Sequence, residues 1–243
     1  MRNIRIHVDL PLAIGAQPAL PAQAAEHIVR VLRLAAGATV TLFNGDGCDY
    51  RATLVASGKP AQVRIEDRID VHTESPLALT LAQALARGEK MDLIVQKATE
   101  LGVARIVPLL TERSEVRLDA MRAGKRLAHW QAVAVSACEQ SGRARVPSIS
   151  APISLDVWLR ALAADVGLRL ALLPDAELAT RDLHFVTRAG VLVVGPEGGL
   201  GERDTTALRD AGFAGLRLGP RILRTETAGL AALAALQALH GDA

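Results

Sequence analysis

The hydrophobic pattern changes character about a third of the way along the chain. Before residue 70 the apolar positions fall in short β-type runs, TVTLF at 39–43, YRATLVA at 50–56 and QVRIEDRI at 62–69. Asn44-Gly45-Asp46-Gly47 separates the first two with hairpin-turn chemistry. One helix precedes them from Ala25, because Ile28, Val31 and Leu32 recur at i, i+3 and i+4, and Arg30 and Arg33 share a neighbouring face. Residues 1–20 carry Pro11 and Pro18 and read as extended. These elements predict a small β-barrel or meander with one helix.

DVHTESP at 70–76 is polar, aperiodic and ends in proline, which places a boundary there and divides the chain into 1–72 and 73–243. Beyond it strands alternate with helices. LALTLAQAL (77–85) is a strand, Met91, Ile94, Val95, Ala98 and Leu101 mark a helix ended by Gly102, and RIVPLL (105–110) is a strand. A long helix over about 119–139 turns Leu127, Trp130, Val133 and Ala137 inward, and Ser154 caps a helix running to about Ala164. LRLALL (168–173) stops at Pro174; a strand at 191–194, a helix at 202–211, a short strand at 214–218 and an Ala/Leu helix to His240 complete the series. Such alternation predicts an α/β domain with a parallel sheet covered on both faces. The last helix is apolar nearly all round and belongs either in the core or against another subunit.

Two stretches stand out in this series. VLVVGPEGG (191–199) and GLRLGPRILRTETAG (215–229) each run from a buried strand into a glycine turn, and the second continues into a helix. Ligands of open α/β sheets sit at the carboxyl ends of strands, so the two ends predict one composite pocket. Gly195, Gly198 and Gly199 permit a ligand to approach the backbone closely.

Half of the 243 residues are hydrophobic, enough for a substantial core, but only 2% are aromatic, which argues against nucleic-acid binding by stacking platforms. The net charge of +2 does not advertise an RNA partner. Residues 111–145 hold seven Lys or Arg against four acids, either a phosphate-facing surface or an ordinary solvated face. Cys48 and Cys138 have no metal-ligand or disulfide spacing, and no metal is expected. No apolar run reaches the roughly eighteen residues of a membrane span, so a cytoplasmic protein without a membrane partner is expected.

Familiar catalytic signatures are missing. GPEGGLG lacks the GxGxxG order, no lysine belongs to a phosphate loop, there is no GxSxG elbow, and the six histidines show no ligand spacing. What remains polar in the pocket loops is Glu197, Arg221, Arg224, Thr225, Glu226 and Thr227. Arg224 and Glu226 form either a structural ion pair or part of a reacting site.

GPEGGLGERD together with LGPRILRTETAGLAAL closely resembles the last two motifs of the RsmE family of SPOUT-class RNA methyltransferases, which methylate N3 of a uridine in 16S ribosomal RNA. HIVRVLRLAAGATVTLFNGDG, EKMDLIVQKATELGVARIVPLLTERSEV and ACEQSGRARVP match in the same order. The resemblance implies a PUA-like RNA-binding β-barrel followed by a SPOUT domain whose parallel sheet ends in a trefoil knot. It also implies a homodimer and S-adenosylmethionine as cofactor. The matching cofactor loops comprise Leu172, Leu173 and Pro174, then Gly195, Pro196, Glu197, Gly198 and Gly199, and finally Leu218, Gly219, Ile222, Leu223, Thr225, Thr227 and Ala228.

Uracil N3 has no available lone pair until its proton leaves, so the site must stabilise an anionic base, a task suited to a fixed guanidinium. Arg224 is the expected stabiliser, with Arg221 close to the base or its phosphate, and Glu197 and Glu226 either accept the proton or hold the arginines. Arg2, Arg5, Arg30, Arg33 and Arg51 on the barrel, with Arg113, Arg143 and Arg145, are expected phosphate contacts. The modest charge favours ribosomal RNA folded within the small subunit as substrate. The competing readings are a SPOUT enzyme acting on tRNA or another rRNA atom, and an RNA-binding assembly factor without catalysis.

Overall fold

The computed structural model describes residues 4–58, 60–116, 119–163, 167–183 and 188–242. Arg2, Arg117, His184 and the expected helix end at Ala164 lie outside them. The chain divides into two compact units, Met1–Glu74 with Cys138–Val146, and Ser75–Ala137 with Pro147–Ala243. The division falls two residues beyond the one expected from DVHTESP, and the segment 138–146 returns to the first unit. The return is a tertiary effect. Arg5 donates to the carbonyls of Cys138 (2.7 Å) and Arg143 (3.1 Å), and Glu139 accepts the His7 N–H at 3.0 Å.

In the first unit, β1 (Arg5–His7) pairs in parallel with β2 (Thr39–Phe43), which continues antiparallel through β3 (Cys48–Ala56) and β4 (Gln62–Asp70). Residues 15–20 run along β4, with Gly15 N–H on Ile65 O and Leu20 N–H on Ala61 O, both at 2.9 Å, which turns the sheet toward closure. Inward alternation of Leu42, Ala52, Leu54, Val63 and Ile65 fills the centre, and Ile28 closes it. The expected helix is two short pieces, α1 (Ala22–Glu26) and a π-helical turn at His27–Val31, ended by Arg33 at φ 54°.

The second unit is built on a parallel sheet of order β11-β9-β10-β5-β6-β7. Its elements are β5 (Ala78–Ala84), α2 (Lys90–Glu100), β6 (Arg105–Leu110), α3 (Ala120–Ser141, whose last turn from Cys138 belongs to the first unit), β7 (Ser148–Ile149), β8 (Ile153–Ser154), α4 (Leu155–Ala161), β9 (Leu168–Leu172), β10 (Ala189–Val194), α5 (Glu202–Asp210), β11 (Ala214–Leu216) and α6 (Thr225–His240). The short β7 and β8, both paired to β6, were not expected from the sequence, because two-residue strands carry no period. VLVV lies between β9 and β5, and its apolar run without alternation follows from that central place. Val191 and Val193 pack with Leu155, Trp158, Leu208 and Phe213 of the α4–α5 layer. The opposite face of the sheet takes α6, whose Gly229 lies against Leu81, Gln83 and Val194. Gln237, nearly inaccessible, holds α6 by accepting from Ser75 Oγ at 2.6 Å and donating to Leu101 O at 3.1 Å.

Both cysteines are free and buried. Burial pushes the Cys138 thiol up to about 11, which keeps it protonated and unreactive near neutrality. Among the described residues no helix is long and apolar enough to cross a membrane.

Candidate active site

The carboxyl ends of β9, β10 and β11 lie side by side because those strands are neighbours in one parallel sheet. The loops that leave them frame a cavity of about 850 Å³, within the size range of small-molecule sites. Leu172–Pro174 forms one wall, Gly195–Gly199 a second, and the segment from Leu218 to Arg224 the third. Of the expected cofactor residues, all but Thr227 line it; Thr227 instead donates its backbone N–H to Arg224 O at 2.9 Å inside the first turn of α6.

The loops are held by few but specific bonds. Thr225, the first residue of α6, donates its hydroxyl to Gly195 O at 2.6 Å and receives the Gln83 side-chain amide at 2.9 Å. The start of α6 is thereby tied directly to the residue after β10, and by the buried Gln83 to β5. Gly199 N–H closes a turn onto Pro196 O at 2.9 Å. At Gly195 the backbone approaches itself so closely that a Cβ would stand 2.9 Å from Leu200 N and 3.1 Å from Gly199 C. Neither is the end of a flexible side chain, so the loop itself must move. Gly195→Val is expected to destabilise the second unit by about 1–3 kcal/mol and to abolish cofactor binding, measured by thermal unfolding and calorimetry. Wild-type affinity in that variant would show that the loop does not shape the pocket.

The charged residues divide into three groups. Arg221 and Arg224 are exposed and line the cavity, Arg224 at the N-cap of α6. Glu197 also lines it, with Oε1 accepting Lys90 Nζ at 2.9 Å and Arg87 N–H at 3.0 Å. Glu226 does not line it; its Oε2 faces Lys90 Nζ at 3.4 Å. Of the two readings of Arg224 and Glu226, the structural ion pair is not formed; Glu226 faces Lys90 instead. Lys90 and Gln83 were missed by sequence reasoning. Each had a signal. Lys90 is a cation at the first position of a helix, facing the positive end of the helix dipole, and Gln83 is the long polar residue of an apolar strand.

The expected phosphate contacts are scattered. Arg113 lies at the cavity, with Nη1 on Gly198 O at 3.0 Å. Arg30, Arg33, Arg51 and Arg145 are exposed, Arg30 in a solvated pair with Glu26 and Arg51 in one with Asp67. Arg5 and Arg143 are corrections. Arg5 is forked onto Asp49 (3.1 and 2.7 Å) and lies 4.6 Å over the Phe43 ring, and Arg143 is forked onto Glu74 with its side chain 4% exposed. Both guanidiniums are engaged by partly buried carboxylates of their own unit rather than offered to a phosphate.

No cluster among the described residues has the donor set of a metal site. The fit to an adenosyl cofactor rests instead on the glycine loop, where Gly195, Gly198 and Gly199 carry no side chain and line the cavity with main chain.

Known proteins bear on this arrangement. Residues 73–237 match the family described as RNA methyltransferase domain, and residues 20–66 that described as RNA methyltransferase PUA domain. A Legionella pneumophila protein solved with bound cofactor SAM is 39% identical at a TM-score of 0.95, covering 100% of both chains. The ribosomal RNA small subunit methyltransferase E of Neisseria gonorrhoeae, solved with S-adenosyl methionine, is 38% identical at a TM-score of 0.92, covering 99% of each. The Mycobacterium bovis protein of the same name is 32% identical over 96% of this chain and 90% of its own length. A parallel sheet with a three-loop pocket, joined to a PUA-type unit and matched over 73–237, places this chain in the RNA methyltransferase family.

Proposed function

We propose that the chain transfers a methyl group from S-adenosylmethionine to N3 of a uridine in 16S ribosomal RNA. The observation that carries this reading is the cavity at three adjoining strand ends, walled by backbone and rimmed by Arg221 and Arg224. Relatives known as ribosomal RNA small subunit methyltransferase E support the class of RNA, and the SAM-bound neighbours support the cofactor.

Leu172–Pro174, Gly195–Gly199 and Leu218–Ala228 would hold the cofactor, with main-chain N–H and C=O groups reading its adenine. When bound, the cofactor supplies an electrophilic methyl carbon on a sulfur that leaves as a neutral thioether. The protein's work concerns the base. The N3–H bond must break with its electron pair left on N3, and the negative charge spreads to the flanking carbonyl oxygens. Arg224 stabilises that charge, and Arg221 holds the base or its phosphate. Exposed Arg30, Arg33, Arg51, Arg113 and Arg145 supply phosphate contacts.

The substrate is ribosomal RNA folded in the small subunit, so the enzyme works in the cytoplasm. The C-terminal trefoil knot belongs to the same proposal. Ala179 bridges to Arg217 and the turn at Thr180–Asp182 packs on α6, which itself packs on β5 and β10. These contacts of the loop after β9 with Arg217 and α6 support that reading. A second copy covers the exposed Leu93 of α2 and Leu239 of α6, 43% and 52% accessible. That accounts for the outer side of a helix whose inner side is core.

Mass-spectrometric mapping of modified nucleosides in ribosomal RNA from a strain lacking the protein tests the function. Loss of one N3-methyluridine from 16S RNA, restored by the gene, is expected. Loss of a tRNA or other rRNA mark would assign the alternative enzyme, and an intact modification pattern would favour a non-catalytic assembly factor.

A further inference from the structure

Lys90 opens α2, where the helix dipole disfavours a cation, yet its side chain is only 29% exposed. Two carboxylates hold it there from different elements. Glu197 comes from the loop after β10, with Oε1 at 2.9 Å, and Glu226 from the first turn of α6, with Oε2 at 3.4 Å. The same Glu197 oxygen also accepts the Arg87 N–H, from the loop after β5. Glu226 Oε2 is buried, makes no hydrogen bond of regular geometry, and lies off the cavity wall.

We infer that Lys90 is a positioning residue: its ammonium clasps Glu197 and Glu226, so that these carboxylates lock the 195–199 loop onto α6 rather than take the N3 proton. The role rests on the methyl-transfer reading. Burial alone would push the Glu197 carboxyl up, but the Lys90 ammonium and the Arg87 N–H outweigh it and hold Glu197 below the ordinary carboxylate range. Such a carboxylate is a weak acceptor for an imide proton. Glu226, off the wall with its Oε2 inaccessible, is poorly placed to reach a base. The N3 proton is lost to a solvent base, hydroxide or buffer, at the cavity mouth, its electron pair staying on N3 in the field of the rim arginines. Without the ammonium, two anions would face each other across the loop and push it open.

The test compares Lys90→Met, Lys90→Arg, Glu197→Gln, Glu226→Gln and the double variant Lys90→Met/Glu197→Gln. S-adenosylhomocysteine binding is measured by calorimetry, and turnover on small ribosomal subunits at saturating cofactor. Lys90→Met and Glu197→Gln are each expected to weaken binding by about threefold to tenfold. The double variant is expected to bind no worse than the weaker single one, because both substitutions break one contact. Lys90→Arg recovers most of the loss, and kcat at saturation falls less than about tenfold in both glutamine variants. Lys97→Met, which breaks the Lys97–Glu100 pair on the same helix, is the control and leaves binding unchanged. If Lys90→Met does not fold, Lys90→Gln with Glu197→Gln makes the same cycle.

A loss of about 10²-fold or more in kcat with unaltered affinity in Glu197→Gln or Glu226→Gln overturns the inference and makes that residue the proton acceptor. Additive binding losses in the double variant also overturn it. A wild-type chain that binds the cofactor but methylates no uridine N3 refutes the functional reading instead, and the binding cycle then still decides the clasp.

Discussion

Arg224→Ala is expected to lower kcat by about 10²–10³-fold while leaving cofactor affinity near that of the wild type. Arg224 stands at the N-cap of α6 on the cavity rim, and its carbonyl, not its side chain, receives the Thr227 and Ala228 N–H groups. Truncating the guanidinium therefore spares the helix start and the Thr225 bond to Gly195. What is lost is a charge aimed at an anion that exists only once N3 is deprotonated, so the effect belongs in kcat rather than in KM. Turnover on small subunits, with calorimetry for the cofactor, separates the two. Near-normal turnover would remove Arg224 from the chemistry and shift attention to Arg221.

Arg143→Ala is expected to destabilise the first unit by about 3 kcal/mol, the lower end of the cost of breaking a buried ion pair. The lower end applies because Glu74 keeps 23% of its side-chain exposure and is partly rescued by water. The fork onto Glu74, with its shortest arm at 2.6 Å, ties the returning segment to the residues that close the unit. Arg30→Ala is the contrast. Its pair with Glu26 is 63% and 62% exposed, and such pairs contribute little to stability. Urea unfolding of both variants checks the difference. An Arg143 variant that unfolded like the wild type but lost salt-dependent RNA affinity would return the residue to the RNA surface.

These two arginines show where reading a sequence stops. In both, the residue type and its neighbours in the chain suit a charged surface. Arg224 follows a strand end beside glycines, so its local sequence already places it at a pocket. Arg143 sits in a basic run, QSGRARVP, and nothing local distinguishes it from Arg145, which is exposed. Its partner lies 69 residues earlier. The same holds for Arg5, whose carboxylate is 44 residues away on another strand. Lys90 shows the converse, a residue passed over because both its carboxylates come from distant segments.

By itself the sequence determined the order of the strands and helices apart from the short β1, β7 and β8, the parallel sheet, the glycine loops that wall the cavity, and the motifs that mark an RNA methyltransferase. Those features follow from local rules: hydrophobic period, turn chemistry, and the need to cover a strand that is apolar on both faces. Tertiary structure alone decided which charges are available. Fold contacts engage Arg5 and Arg143 with partly buried carboxylates, draw residues 138–146 into the first unit, and set Lys90 between Glu197 and Glu226. Ion pairs act through space at a few ångströms, and no period in the chain encodes which distant carboxylate will come within reach.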